Sequence, residues 1–324
     1  MSQIDKIQAP ILEELKKFDP FFKESLKSNA PLLDIITNYI LRRKGKQMRP
    51  ILVFLTAKLN GEINKSTYTA ASLIELLHTA TLVHDDVVDR SDLRRGFFSI
   101  NALWKSKIAV LAGDFLLSKG LLLSVKNSEY ELLRIVSEAV KEMAEGELIQ
   151  LEKARRLNIT EEVYFEIISK KTATLIASCS ACGAKSVGCD DETVEKMKKF
   201  GLSLGIAFQI KDDLFDYQKM NLIGKPTGND LQEKKMTLPL IYALNKSDNS
   251  TRRQILRLVR KDKKKQKDID FIVDFVTKTG GVDYTINVMN KYKTEAISYL
   301  NQFPDNDAKQ ALLEFVNYAV ERNK

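Results

Sequence analysis

Residues Tyr68–Asp89 read YTAASLIELLHTATLVHDDVVD. Apolar residues recur at three- and four-residue spacing, the period of an amphipathic helix. The stretch therefore predicts a helix that ends on a carboxylate cluster, Asp85-Asp86-Val87-Val88-Asp89. Asp85 and Asp89 lie four apart and share one helix face, whereas Asp86 points about 100° away. A second cluster of the same DDxxD pattern, Asp212-Asp213-Leu214-Phe215-Asp216, closes another apolar stretch. Two such faces turned toward each other would make an oxygen-rich pocket for hard divalent cations, which points to chemistry on phosphate.

The helical period extends outward from both clusters. Leu132–Leu151 repeats it. Asn158-Ile159-Thr160-Glu161-Glu162 reads as a helix start with Thr160 as N-cap. Asp190-Asp191-Glu192 reads as another, ahead of a helix reaching about Tyr217. No proline falls between Pro50 and Pro226, and alternating strand patterns are nearly absent. Turns are marked by the Gly-rich loop Gly224-Lys225-Pro226-Thr227-Gly228-Asn229-Asp230 and by Gly280-Gly281. With no repeat, linker or low-complexity segment, the expectation is an all-α protein. Residues 1–324 would form a single domain, one large helical bundle around a central cavity.

Composition narrows the function classes. Of 324 residues, 44% are hydrophobic and 29% charged, an ordinary soluble balance. No apolar run reaches the roughly 18 residues of a membrane span, and the N-terminus lacks a secretory h-region. A cytoplasmic protein is expected, and three cysteines suit a reducing compartment. Part of the net charge of +8 comes from Arg260–Lys267, RKDKKKQK, which reads as a solvated loop. Aromatics are not interleaved with basic residues, so nucleic acid is not an expected partner. Cys179-Ser180-Ala181-Cys182 has no second CxxC and no nearby histidine, and reads as small buried residues rather than a zinc site. The run Leu116–Leu123 reads as core or tunnel wall.

Cations flank both clusters. His78 and His84, the only histidines, precede Asp85. Arg94-Arg95-Gly96 follows Asp89, and Gly45-Lys46-Gln47-Met48-Arg49-Pro50 lies upstream. Lys170-Lys171-Thr172 and Phe208-Gln209 precede the second cluster, while Lys225 and Lys234-Lys235-Met236-Thr237-Leu238-Pro239 follow it. Carboxylates for metals, with Lys and Arg reaching for oxygens, are what a diphosphate requires. In this order the motifs resemble those of the trans-isoprenyl diphosphate synthases (polyprenyl synthetases), from about residue 40 to about residue 245.

That resemblance implies the isoprenoid synthase fold, with two central helices that carry the clusters. It implies three Mg²⁺ ions between the clusters and the diphosphate of an allylic substrate. By position, Asp85 and Asp89 resemble the first set of metal ligands, and Asp212 the ligand of the second set, with Asp213 and Asp216 nearby, partly through water. Arg94, Lys171, Thr172, Gln209, Lys225 and Lys235 match positions that hold the allylic diphosphate or steady that wall. Lys46, Arg49, His78 and Arg95 match the pocket for isopentenyl diphosphate. The implied reaction is ionisation of the allylic diphosphate, condensation with isopentenyl diphosphate and loss of a proton, and it needs no side-chain nucleophile. Asp85, Asp89, Lys171, Asp212 and Lys225 would carry it. Two positions depart from the family pattern, Lys44 and Lys234, both where glycine is common.

Residues four and five before Asp85 lie about one turn deeper, roughly 5.4 Å along the helix. These are Thr81 and Ala80. A bulky aromatic there closes the cavity in short-chain members of the family, and small residues resemble the medium- to long-chain type, such as hexaprenyl to octaprenyl synthases. The floor is sought deeper, among Leu117, Leu121, Leu122 and Val136. Competing readings are a class I terpene cyclase and a non-catalytic subunit of a heteromeric synthase. The resemblance also implies a homodimer, and long products suggest transient membrane contact for release.

Overall fold

Asn64 begins the helix that carries the first cluster. Its side chain accepts from the Ser66 N–H at 2.8 Å, and the Thr67 hydroxyl accepts from the Asn64 N–H at 3.3 Å, a reciprocal N-terminal cap. In a computed structural model of the chain, the residues described are 2–42, 45–94, 96–156, 159–217 and 229–322. In chain order the helices are α1 (Gln3–Gln8), α2 (Leu12–Ser25), α3 (Pro31–Arg42), α4 (Met48–Asn60) and α5 (Lys65–Val88). A two-stranded antiparallel hairpin follows, β1 (Leu93–Arg94) and β2 (Phe97–Phe98). Then come α6 (Ile100–Lys126), α7 (Tyr130–Arg156), α8 (Glu161–Ile168), a π-helical turn (Ser169–Ala173), α9 (Thr174–Ser186) and α10 (Asp191–Phe215). The chain closes with α11 (Asn229–Gln232), α12 (Leu238–Lys246), α13 (Asn249–Arg260), α14 (Gln266–Lys278), α15 (Gly281–Leu300) and α16 (Asp307–Glu321). The all-α expectation holds, and the Thr160 side chain caps α8 as expected.

The chain divides into two compact units. One comprises 1–140, 178–198 and 303–314, and the other 141–177, 199–302 and 315–324. In the first, α4 presents an almost unbroken buried run, Ile51 to Leu55, and α5 buries Leu73, Ile74, Leu76 and Leu77. Each such side chain stabilises the fold by roughly 1.5–3 kcal/mol. Small residues let these helices approach one another. A Cβ on Gly183 of α9 would lie 1.9 Å from the Thr56 hydroxyl of α4. One on Gly113 of α6 would lie 2.2 Å from His84 Nε2, and one on Gly120 would lie 3.2 Å from Leu73. Cys179 and Cys182 are buried thiols on α9, as the sequence suggested.

Helix α6 has the length and apolar composition of a membrane-crossing helix, although Asp114 and Lys119 interrupt it. Its face is not all core. Leu116 is buried, but Leu103, Val110, Leu111, Leu121, Leu122 and Val125 are exposed. The expectation that Leu121 and Leu122 line a tunnel floor is therefore corrected, because both point to the surface of this unit. The helical period puts them one face away from Leu116. Val136 is fully buried.

In the second unit, Ile206, Ile210 and Leu214 of α10 share a core with Leu240 and Ile241 of α12, Ile255 of α13, Ile272 of α14 and Met289 of α15. The Gly280-Gly281 turn needs both glycines for separate reasons. Gly280 takes φ +80°, and a Cβ on Gly281 would lie 2.4 Å from the Pro239 carbonyl oxygen. The lysine-rich run 260–267 is not simply a solvated loop. Lys264 is buried, its carbonyl accepts from Gln232 Nε2 at 3.0 Å, and Lys234 pairs with Asp262 at 2.5 Å.

Candidate active site

Both aspartate clusters end long helices, at the negative pole of the helix dipole. Neither α5 nor α10 has a basic residue in its last turn. Charge there has to be balanced from elsewhere, and each unit does it differently.

In the first unit, Asp85 is half-buried and Asp89, the C-cap of α5, is exposed. The intervening Asp86 is only 4% exposed. The Arg94 Nε donates to its carboxylate at 2.7 Å from β1. Burial raises the Asp86 pKa above the usual carboxylate range, and Arg94 opposes that rise. Arg94, expected near the allylic diphosphate, thus braces the cluster here. His78 is buried. His84 Nε2 donates to the Val110 carbonyl of α6 at 3.3 Å and lies 3.5 Å from Asp114, so it ties the cluster helix to α6. Lys46 is exposed and Arg49 half-buried. Arg49 and Glu75 act in opposite directions on the Cys179 thiol, which burial pushes up to about 12. Ala80 is 3% exposed and Thr81 half-buried.

In the second unit, the three aspartates have three different partners. Asp212 takes a 2.5 Å ion pair from Arg322, whose guanidinium also stacks 3.9 Å from the Phe208 ring. Asp213, 4% exposed, accepts from the Tyr164 hydroxyl at 2.6 Å and from Gln209 Nε2 at 2.9 Å. Asp216, also buried, accepts from the Asp230 N–H at 2.5 Å. Burial raises the Asp213 carboxyl to about 7 against the hydrogen bonds from Tyr164 and Gln209. Asp230 is raised to about 6, again by burial, with Lys235 opposing. Lys235 lies 3.5 Å from Asp230 and 2.6 Å from Glu233. Burial works against its charge, but these carboxylates more than offset it and hold its pKa above the ordinary value.

The π-helical turn supplies the remaining cations. It carries one extra residue per turn, a distortion common at functional sites. Small residues accommodate it: a Cβ on Gly146 of α7 would lie 2.8 Å from the Lys171 N, and one on Gly205 of α10 would lie 2.6 Å from the Ala173 Cα. Lys170 pairs with Glu145 of α7 at 2.8 Å. Lys171 pairs with Glu147 of α7. The Thr172 hydroxyl donates to Gln209 Oε1 at 2.8 Å.

Thus Lys46, Arg49, His78, Ala80, Thr81, Asp85, Asp89 and Arg94 belong to the first unit, and Lys171, Thr172, Gln209, Asp212, Asp216 and Lys235 to the second. Lys225, Arg95 and Lys44 lie outside the described residues. Lys234 adopts φ +61°, which explains why glycine suits that position. Among the described residues no three His, Cys, Asp or Glu side chains converge to hold a metal by themselves. Mg²⁺ usually takes one or two carboxylates and completes its shell with water and substrate phosphate oxygens. Paired aspartates at these helix ends fit that mode.

Sequence reasoning missed Tyr164, Glu147, Asp230 and Arg322. Tyr164 was legible only as an apolar residue on a helix face, and Arg322 lies in a tail without a motif. A groove of about 610 Å³ on the first unit, lined by Ile35, Asn38, Tyr39, Arg42, Phe97 and Trp104, contains none of the expected site residues.

Residues 30–276 match the polyprenyl synthetase family. The chain is 36% identical over 318 residues to an all-trans-nonaprenyl-diphosphate synthase (geranyl-diphosphate specific) of Rhodobacter capsulatus, covering 98% of this chain and 97% of that protein. It is 33% identical to the octaprenyl diphosphate synthase of Escherichia coli, covering 99% of each. The crystal structure of a decaprenyl diphosphate synthase from Rhodobacter capsulatus matches with a TM-score of 0.93 at 33% identity over 98% of both chains. A polyprenyl synthase from Caulobacter crescentus complexed with calcium and isoprenyl diphosphate matches at 0.90, also at 33% identity and 98% of both chains. A family match over most of the chain, with relatives above 30% identity along its full length, establishes that this chain belongs to the polyprenyl synthetase family.

Proposed function

We propose that this enzyme, a prenyltransferase, condenses isopentenyl diphosphate with an allylic diphosphate such as farnesyl or geranylgeranyl diphosphate and releases a linear polyprenyl diphosphate and pyrophosphate. The observation that carries the reading is that both helix-terminal clusters keep every carboxylate while cations stand in hydrogen-bonding range of each: Arg94 on Asp86 and Arg322 on Asp212. Asp85, Asp89, Asp212 and Asp216 would hold Mg²⁺, three ions in our reading. Magnesium bound there supplies positive charge to the leaving diphosphate.

The chain's own residues do the rest. Lys171, Thr172, Gln209, Lys225, Lys235 and Arg94 hold the allylic diphosphate, and Lys46, Arg49, His78 and Arg95 hold isopentenyl diphosphate. Lys171 would exchange Glu147 for a phosphate oxygen. Apolar walls keep water from the allylic cation, and its attack by the second substrate's double bond forms the new carbon–carbon bond. The proton then lost passes to pyrophosphate, so no side-chain base is required. We read residues 1–324, both units together, as one catalytic domain.

Small side chains at Ala80 and Thr81, one turn (roughly 5.4 Å) below Asp85, leave room for products longer than about twenty carbons. This agrees with the octaprenyl and nonaprenyl names of the relatives. The exposed stripe Leu103, Val110, Leu111, Leu121, Leu122 and Val125 on α6 supports a homodimer that covers it. Three free thiols suit a cytoplasmic enzyme, and poorly water-soluble products suit release through transient membrane contact.

Incubation with labelled isopentenyl diphosphate, an allylic starter and Mg²⁺ tests the reading. Linear products longer than about twenty carbons are expected from the small side chains of Ala80 and Thr81. Cyclic hydrocarbons would reassign the chain as a cyclase, and no turnover would make it a partner subunit.

A further inference from the structure

In each cluster the middle aspartate is buried and braced, and in the second Asp216 is equally buried but accepts on one oxygen, from the Asp230 N–H. Asp86 is held by Arg94 and Asp213 by Tyr164 and Gln209. Asp213 uses both oxygens. Its Oδ2 accepts from the Tyr164 hydroxyl, and its Oδ1 accepts from Gln209 Nε2. Gln209 cannot swing away freely, because its Oε1 is in turn fixed by the Thr172 hydroxyl. Tyr164 is itself 3% exposed, packed edge-on against Phe165 at 5.4 Å, and sits in the first turns of α8 just after its Thr160 cap. A relay therefore runs from α8 through the end of α10 to the π-helical turn.

We propose that Tyr164 is a positioning residue and that Asp213 is the keystone it holds, anchoring the last turn of α10 so that Asp212 and Asp216 present their carboxylates to metal. The inference rests on the reading that the second cluster binds Mg²⁺. Asp213 is flanked by Asp212 and by Asp216 three residues on, so fixing its rotamer fixes the rotation of the turn that carries both. A carboxylate with both oxygens hydrogen-bonded and almost no exposure is badly placed to meet a hydrated cation. Tyr164 reaches the cluster through its hydrogen bond to Asp213 and acts through it, as outer-shell partners of metal ligands do.

The test is Mn²⁺ binding in the presence of inorganic pyrophosphate, followed by electron paramagnetic resonance, which does not depend on turnover. Tyr164→Phe should raise the half-saturating Mn²⁺ concentration about tenfold, and saturating Mg²⁺ should recover most of kcat. Binding within twofold of the parent protein overturns the proposal. Should Tyr164→Phe fail to fold, Asp213→Asn decides. It still offers Tyr164 an acceptor oxygen, so it should weaken Mn²⁺ binding at least several-fold less than Asp212→Asn. Equal losses would make Asp213 a metal ligand and overturn the proposal. If Asp212→Asn itself leaves Mn²⁺ binding intact, the metal reading of the cluster fails instead, which separates the two failures.

Discussion

The two aspartate clusters share one sequence pattern but are neutralised by opposite means. At the end of α5 the buried Asp86 meets a full positive charge, Arg94, delivered by the hairpin. At the end of α10 the buried Asp213 meets only neutral donors, Tyr164 and Gln209, and the arginine goes instead to its half-exposed neighbour Asp212. The consequence is visible in proton affinity. Burial pushes Asp213 to about 7 against its hydrogen bonds from Tyr164 and Gln209, with the carboxylates of Asp230 and Asp212 adding to the rise, whereas Arg94 restrains the rise at Asp86. One short motif therefore yields one anchor held by charge and one held by neutral hydrogen bonds.

The sharpest way to break the comparison is to remove one proposed metal ligand from each cluster. Asp85→Ala and Asp212→Ala should each cut turnover by about 10³-fold or more, with the helical circular dichroism retained. Substantial Mg²⁺-dependent product formation in either variant would refute the assignment of its cluster.

A qualitative change is expected beneath the first cluster only. Ala80→Tyr should shorten the product to about fifteen or twenty carbons by filling the space one turn below Asp85. An unchanged chain-length distribution on chromatography would show that Ala80 does not face the growing tail.

The braces themselves should differ in stability. Arg94→Gln strands a buried carboxylate and should cost about 2 kcal/mol, discounted because Arg94 is partly exposed. Tyr164→Phe removes a neutral donor and should cost about 1 kcal/mol. Urea denaturation of both variants checks the order, and a reversed order would mean that charge is not what holds the first anchor.

The smallest effect is in pH. Burial pushes the Asp213 carboxyl up to about 7 and the Asp230 carboxyl up to about 6, from an ordinary value of 3.8. Between those limits the native state keeps protons that the unfolded chain has already released. The contribution of these two groups to stability is therefore fully present below the ordinary value and is lost as pH rises through the folded values. Melting temperatures in chelator should decline from pH 5 to pH 8, and Asp213→Asn should flatten the slope. A flat profile in the parent would mean that Asp213 is not the buried, uncompensated acid described above.

Much of the fold was legible because helices announce themselves locally. The apolar period of Tyr68–Asp89 became α5, the Thr160 cap opened α8, and Gly280-Gly281 turned the chain into α15. The clusters were legible for the same reason, since spacing four along a helix fixes a shared face. Less was legible where the partner is distant in sequence. Leu121 and Leu122 read as tunnel wall, yet they lie on an exposed stripe, because apolar content alone does not say which face a neighbour covers. The basic run 260–267 read as solvated, yet Gln232 reaches its backbone from about thirty residues away.

The sequence by itself determined the helices, the two carboxylate faces and the company of lysines and arginines around them, because those follow from period, spacing and residue chemistry. Only the tertiary structure decided which partner each buried middle aspartate meets. That choice depends on Arg94 reaching Asp86 from a hairpin and on Tyr164 reaching Asp213 from α8. Burial and partner geometry set the state of a carboxylate, and neither is written in the motif that contains it.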